Sequence, residues 1–184
     1  LDANSDLEWL PQELVLYADA LFEQNLRITL PMDGSFLSAE IVRLGRTAAN
    51  ETLGQGCWRS SLQIQRQTAE GRRWELVDRL EISDAALKGI HGLNQQPVFG
   101  TLVWAAPFPL PTNKINTLLD DIRQDRNELK GTMHCGALPQ GLIARYSGFS
   151  SRDARFWFSR IWARTRQARA LACLLYTSPS PRDP

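Results

Sequence analysis

Apolar and polar residues alternate with a period of two along much of the first two thirds of the chain, which predicts half-buried β-strands. Residues 26–30 follow this alternation, and the Pro and Asp-Gly of residues 31–34 predict a turn. The apolar positions of residues 36–44 change phase between Ile41 and Val42. This segment therefore predicts a strand that carries a bulge or is buried on both faces.

Two later segments, 58–65 and 74–82, predict an antiparallel hairpin with its turn at residues 68–71. Asp78 falls among the apolar positions, and a buried carboxylate needs a partner or becomes protonated. Arg66, in phase with Ile64 on the facing strand, is a candidate partner of Asp78. The side chains expected to face the core are those of Trp58, Ser60, Leu62, Ile64, Trp74, Leu76, Leu80 and Ile82, with Glu75, Val77, Arg79 and Glu81 facing away.

Residues 98–106 contain no charge and do not alternate, which predicts a central strand covered on both faces. Three prolines, Pro107, Pro109 and Pro111, then end the strand.

A change to helical spacing predicts two C-terminal helices separated by a short hairpin. The first helix has Thr112 or Asn113 as its cap and ends near Gly131. Ser150 begins the second, with Asp153 three residues later as a variant of the capping box. The predicted fold is therefore mainly β with two C-terminal helices, an α+β class.

The composition is that of a globular domain, with 184 residues, 43% hydrophobic and 22% charged, and a net charge of +1. No apolar run approaches the roughly 20 residues of a membrane span, and Cys57 and Cys135 lie far apart outside any CxxC pair. We therefore expect a cytoplasmic protein that binds neither membrane nor nucleic acid.

The last predicted helix carries six arginines against one aspartate between residues 152 and 169, so the rest of the chain is net acidic. Arginine forks bind carboxylates as well as phosphates. A basic helix on an acidic body favours an acidic protein partner, with nucleic-acid binding as the alternative. The candidate partner-binding residues are Arg155, Arg160, Arg164 and Arg166.

The glycine-rich segment 45–60 lacks the lysine of a P-loop, and its Gly-Gln-Gly leads into a strand, unlike a dinucleotide-binding turn. The sequence has no GxSxG motif. Weak metal candidates are His91, His134 and Cys135, whose spacing matches no closed site. An enzyme that uses His134, Cys135 and Asp78, either metal-binding or hydrolytic, stays open as the alternative.

Several segments in order resemble the urease accessory protein family UreD, also called UreH. They are LEWLPQELVLYADA (7–20), AEIVRLGRTAANE (39–51), GCWRSSLQI (56–64), WELVDRLEI (74–82), PVFGTLVWA (97–105) and LIARYSGFSSRDARFWFSRIWARTR (142–166). The chain has Asn50 where the family commonly has glycine, and asparagine tolerates a left-handed backbone.

The resemblance implies a helical stack of β-strands that acts as a scaffold in nickel delivery to urease, not as an enzyme. It implies binding to UreF, to the GTPase UreG through UreF, and to apo-urease in a hetero-oligomer. It also implies that nickel is in transit through an internal tunnel and that no cofactor is bound tightly. Candidate residues of a tunnel or polar network are Arg46, Glu51, Asp78 and Arg79, with a buried salt-bridge network as the alternative.

The resemblance also suggests limits for the domain. We expect residues 1–172 to form a single, partial domain that lacks an N-terminal region. Residues 173–184 break from the preceding pattern and resemble translated sequencing adapter, so we expect a non-native tail.

Overall fold

A computed structural model describes residues 1–171, and within them the predicted mainly β fold with two long C-terminal helices is confirmed. The expected non-native tail, residues 173–184, lies outside the described residues. The strands are β1 (Asp6–Trp9), β2 (Leu14–Leu16), β3 (Leu21–Leu30), β4 (Ser35–Leu44), β5 (Cys57–Thr68), β6 (Gly71–Ser83), β7 (Val98–Ala105), β8 (Thr132–Leu138) and β9 (Gly141–Gly148). The helices are α1 (Asp84–Lys88), α2 (Thr112–Gln124) and α3 (Ser151–Ala168), and a 3-10 turn spans Thr47–Ala49.

The strands form two sheets that pack on each other. The first has the order β1-β4-β7-β9-β8, with β2 also pairing with β4, and the second has the order β3-β5-β6. On one face of the first sheet, Leu102 and Trp104 of β7 pack with Trp157 of α3. On the other face, Val103 packs with Leu62 of the second sheet. The prediction that residues 98–106 form a covered central strand is confirmed.

The phase change in β4 reflects burial on both faces. Its pairing with β7 runs without interruption from Phe36 opposite Ala105 to Arg43 opposite Val98, so the strand has no bulge. Leu37 and its neighbours of the same phase face the helices, while Phe36 faces the second sheet. A strand between two cores needs apolar residues in both phases.

The predicted hairpin forms between β5 and β6, but its register shifts beside Glu75. Leu76 lies opposite Ile64 and Trp74 opposite Gln65, so Glu75 is an extra residue that reverses the alternation before it. The prediction that Trp74 faces the core and Glu75 faces away was wrong. The Trp74 side chain is half exposed, whereas that of Glu75 is only 7% exposed.

Arg66 is buried and does not pair with Asp78, so that prediction was also wrong. Its guanidinium binds both carboxylate oxygens of Glu75, at 2.5 and 3.1 Å. It also donates to four backbone carbonyls, at 2.7 to 3.1 Å: those of Pro31, Met32, Gly34 and Ala106. The side chain therefore joins the β5–β6 hairpin to the β3–β4 turn and to the end of β7.

The helix ends differ in how well the sequence predicts them. Ser150 caps α3, since its Oγ accepts the Asp153 N–H at 3.1 Å, as predicted. The predicted Thr112 or Asn113 cap of α2 was wrong, because Thr112 is already helical and Pro111 precedes it without a side-chain cap. The helix ends at Gln124, well before Gly131, because a turn follows in which Glu128 has a left-handed φ of 70°.

Candidate functional site

Polar side chains lie between the two sheets and divide the apolar residues there into two clusters. We call this set the interior polar layer. On β5, for example, Ser60 lies between Trp58 of one cluster and Leu62 of the other. The layer comprises Gln24, Ser38, Glu40, Ser60, Asp78, Thr101 and Arg145. It follows from the strand period, because β3 to β7 and β9 each place a polar residue at an inward position.

Glu40 on β4 is the central carboxylate of the layer. Gln24 Nε2 donates to both of its oxygens, at 2.7 and 2.8 Å. Burial raises the pKa of the Glu40 carboxyl, and the Gln24 hydrogen bond opposes this in part. Within residues 1–171, no lysine or arginine forms an ion pair with Glu40. Glu40 is therefore a partly buried carboxylate between the sheets that has no cationic partner in the described part of the chain.

Two cavities meet at Glu40. One is an open cleft of about 370 Å³ between β2 and β3, lined by Trp9, Glu13, Gln24 and Glu40 among others. The other lies between the sheets, has a volume of about 10 Å³, and is lined by Ser38, Glu40, Trp58, Ser60, Asp78 and Thr101 among others. This volume matches about one water molecule. Trp58 lines this cavity, and its Nε1–H is buried without a hydrogen-bond acceptor in the described part of the chain.

Asp78 lies at the end of the layer away from Gln24. Its Oδ1 is 2.6 Å from Arg145 Nη2, so β6 of one sheet is joined to β9 of the other. The Arg145 guanidinium also donates to Thr101 Oγ1 at 2.7 Å and lies over the Phe99 ring, 5.6 Å from its centroid. The neighbouring candidate, Arg79, is exposed on the outer face of β6.

Arg46 and Glu51 pair with each other at the surface and line neither cavity. Arg46 Nη2 lies 2.5 Å from Glu51 Oε2, and Glu51 Oε1 accepts the Ala18 N–H at 2.8 Å. These bonds lower the pKa of the Glu51 carboxyl, with the Arg46 bond as the larger cause. Asn50 has a φ of 55°, which confirms that asparagine keeps the left-handed turn. The 45–56 loop is thus hydrogen-bonded to the turn that precedes β3.

The metal candidates do not come together. His91 is exposed after α1, and His134 and Cys135 point to opposite faces of β8. Cys135 packs toward α2, where burial raises the pKa of its thiol. Within residues 1–171, no three His, Cys, Asp or Glu side chains form a group that could hold a metal ion. The alternative enzyme site of His134, Cys135 and Asp78 is not assembled.

Most arginines of α3 bind groups of the protein itself. Arg164 binds the carboxylates of Asp121 and Asp125, and Arg166 binds Glu8. Arg160 donates to backbone carbonyls, that of Asp125 at 2.6 Å among them. These contacts remove the reason for the nucleic-acid interpretation.

Arg155 differs from the other three candidates, because its side chain is 59% exposed and lies 3.8 Å from Glu13. Two exposed aromatic residues, Phe149 and Phe156, flank it in the sequence around the start of α3. No helix within the described residues has the length and apolar character of a membrane span.

Two packed sheets with charged and polar groups between them place the chain in the class of mainly β proteins with a polar interior. The sequence model described as UreD urease accessory protein matches residues 1–176, and the chain belongs to this family.

Three relatives named urease accessory protein UreD support the assignment. That of Synechococcus sp. (strain CC9311) is 91% identical over 172 residues, which cover 94% of this chain and 58% of the relative. That of Synechococcus sp. (strain CC9605) is 68% identical over 171 residues, covering 93% and 55%. That of Parasynechococcus marenigrum (strain WH8102) is 66% identical over 172 residues, covering 94% and 55%. The chain thus spans little more than half the length of these relatives.

Sequence reasoning identified Asp78 but missed Glu40 and Arg145. The signal for Glu40 was present: it shares the phase of Phe36 and Val42, which face the second sheet. Because β4 is buried on both faces, its sequence does not alternate between apolar and polar residues, and so it does not show which side chains face the second sheet.

Proposed function

We propose that this chain forms part of a urease maturation scaffold that passes nickel through its interior polar layer. In this proposal the complete protein is a cytoplasmic subunit of a hetero-oligomer and binds UreF. UreF brings UreG, which supplies GTP hydrolysis, and the complex docks on apo-urease. The family assignment supports the role in maturation, and the polar layer supports the path.

The observation that carries the path is Glu40, which has no cationic partner within residues 1–171. A carboxylate withdrawn from water without a counter-ion destabilises a fold, so its place between the sheets favours a functional role. The hydroxyls of Ser38, Ser60 and Thr101 line the same cavity. Scattered oxygen ligands hold a divalent cation loosely, which suits an ion that must move on.

The path is tested in the complete protein, produced together with urease and its other accessory proteins, by Glu40→Gln and Asp78→Asn. Both changes remove a negative charge with little change in volume. We expect several-fold less nickel per urease molecule, at unchanged abundance of the scaffold. Glu81→Gln is the control, because Glu81 is an exposed, ion-paired carboxylate on the outer face of the same hairpin. Normal nickel content in both interior variants would refute the path.

We further propose that the exposed start of α3 contacts a partner through Arg155, Phe149 and Phe156. Aromatic and arginine side chains are enriched at the centres of protein interfaces. Co-purification of UreF with a Phe149→Ser/Phe156→Ser variant tests this, and we expect less UreF. Phe108→Ser is the control, because Phe108 is 64% exposed but lies away from the start of α3. Phe108 follows the last residue of β7, whereas Gly148, just before α3, pairs with the first. Equal recovery of UreF by all variants would exclude this surface.

A further inference from the structure

Arg145 brings a positive charge into a layer whose proposed cargo is also positive. Its guanidinium lies between the sheets, 2.6 Å from Asp78 and 2.7 Å from Thr101. Asp78 and Thr101 both line the cavity between the sheets, so a cation bound there would share these two groups with Arg145. Two cations that share these groups repel each other and compete for the same oxygens.

Arg145 cannot release Asp78 by losing a proton, since an arginine guanidinium stays charged in proteins. It can release Asp78 only if its side chain moves. A comparison with Arg66 indicates that the Arg145 side chain is the less firmly held of the two. Arg66 is 3% exposed and holds four backbone carbonyls as well as Glu75. Arg145 is 27% exposed, and within residues 1–171 its acceptors are two side chains, those of Asp78 and Thr101.

We propose that Arg145 is an electrostatic gate at the Asp78 end of the interior polar layer. Its guanidinium closes that end when no cation is present and must leave Asp78 before a divalent cation binds there. This inference rests on the proposed passage of nickel and adds to it the group that controls the exit. It also explains why Asp78, unlike Glu40, has a cationic partner.

The gate makes a prediction opposite to that of a purely structural ion pair. Arg145→Met in the complete protein removes the competing charge and keeps most of the volume. Titration calorimetry with nickel(II) alone should show affinity up to about fivefold higher than for the unaltered protein, as expected when a competing, partly exposed ion pair is lost. Adding Asp78→Asn to this variant should abolish the gain.

Arg59→Met is the matched control, because it breaks an exposed ion pair with Glu81 on the outer face of the same hairpin. It should leave nickel affinity unchanged. Unchanged affinity in Arg145→Met would overturn the gate. The proposed path would still stand if Glu40→Gln and Asp78→Asn lower the nickel content of urease, so the two failures are distinguishable.

A second measurement needs no variant at Arg145 and covers the case in which Arg145→Met fails to fold. Zinc(II), a diamagnetic divalent cation, is added to the unaltered protein while the arginine Nε–H signals are followed by NMR. The gate predicts that the Arg145 signal shifts and that the Arg66 signal does not. An Arg145 signal that stays in place at saturating zinc(II) would overturn the proposal.

Discussion

Arg66→Ala is predicted to be among the most destabilising single substitutions in this chain. The change leaves the Glu75 carboxylate, only 7% exposed, with the half-exposed Arg73 at 3.3 Å as its remaining cation. It also removes the donor from four backbone carbonyls where the hairpin, the β3–β4 turn and the end of β7 meet. Removing one partner of a buried ion pair destabilises by about 3–5 kcal/mol.

The magnitude converts directly into a denaturation midpoint. With a urea m-value of about 2 kcal/mol/M, a loss of about 4 kcal/mol lowers the midpoint by about 2 M. The assay is urea unfolding of the complete protein followed by tryptophan fluorescence. Arg59→Ala is the control, because the Arg59–Glu81 pair is 60% and 58% exposed. Exposed ion pairs contribute little to folding stability, so the urea midpoint of Arg59→Ala should match that of the unaltered protein within the error of the measurement.

A double variant, Arg66→Met/Glu75→Leu, distinguishes the stability lost with the ion pair from that lost with the hydrogen bonds to the four carbonyls. It removes the buried Glu75 carboxylate that has lost its main partner, so it should recover part of the loss seen with Arg66→Ala. The four carbonyls still lack their donor, so recovery should be incomplete. Equal midpoints for Arg66→Ala and Arg59→Ala would refute the reasoning, because burial and the added hydrogen bonds would then make no difference.

Three other predictions concern the layer and the last hairpin. Because burial raises the pKa of the Glu40 carboxyl above its ordinary value of 4.5, its ionisation should lower stability as pH rises through the folded-state pKa. Glu40→Gln should therefore raise the thermal midpoint at neutral pH but not below pH 4.5, and an equal effect at both pH values would contradict this. Asp78→Ala should leave the complete protein soluble and impair urease activation, whereas loss of soluble protein would indicate a structural ion pair. Gly141→Ala should lower the free energy of unfolding in urea by more than about 1 kcal/mol. Gly141 has a φ of 134°, which residues other than glycine rarely adopt, and the new Cβ would lie 1.8 Å from the Trp104 carbonyl oxygen. Gly136→Ala on the same hairpin meets no atom within 4 Å and should be nearly neutral, so equal losses would contradict the argument.

Local patterns predicted the elements that are long and regular. The β5–β6 hairpin, the central strand β7 and the Ser150 cap of α3 all form where the sequence places them. The short elements β1, β2 and α1 were missed, because three to five residues are too few to establish a period. The bulge at Glu75 was also missed, since one extra residue leaves no mark in the local sequence. It nevertheless moves the side chains of the residues before it in β6 to the opposite face of the sheet.

The sequence by itself determined the fold class, the family and the inward placement of Asp78. Each depends on residues that are close together in the chain or on the order of recognisable segments. Only the tertiary structure decided which charges meet: Asp78 with Arg145, Arg66 with Glu75, and Glu40 with Gln24 rather than a cation. The physical reason is that strand period fixes which way a side chain points, whereas its partner depends on how two separate sheets are set against each other.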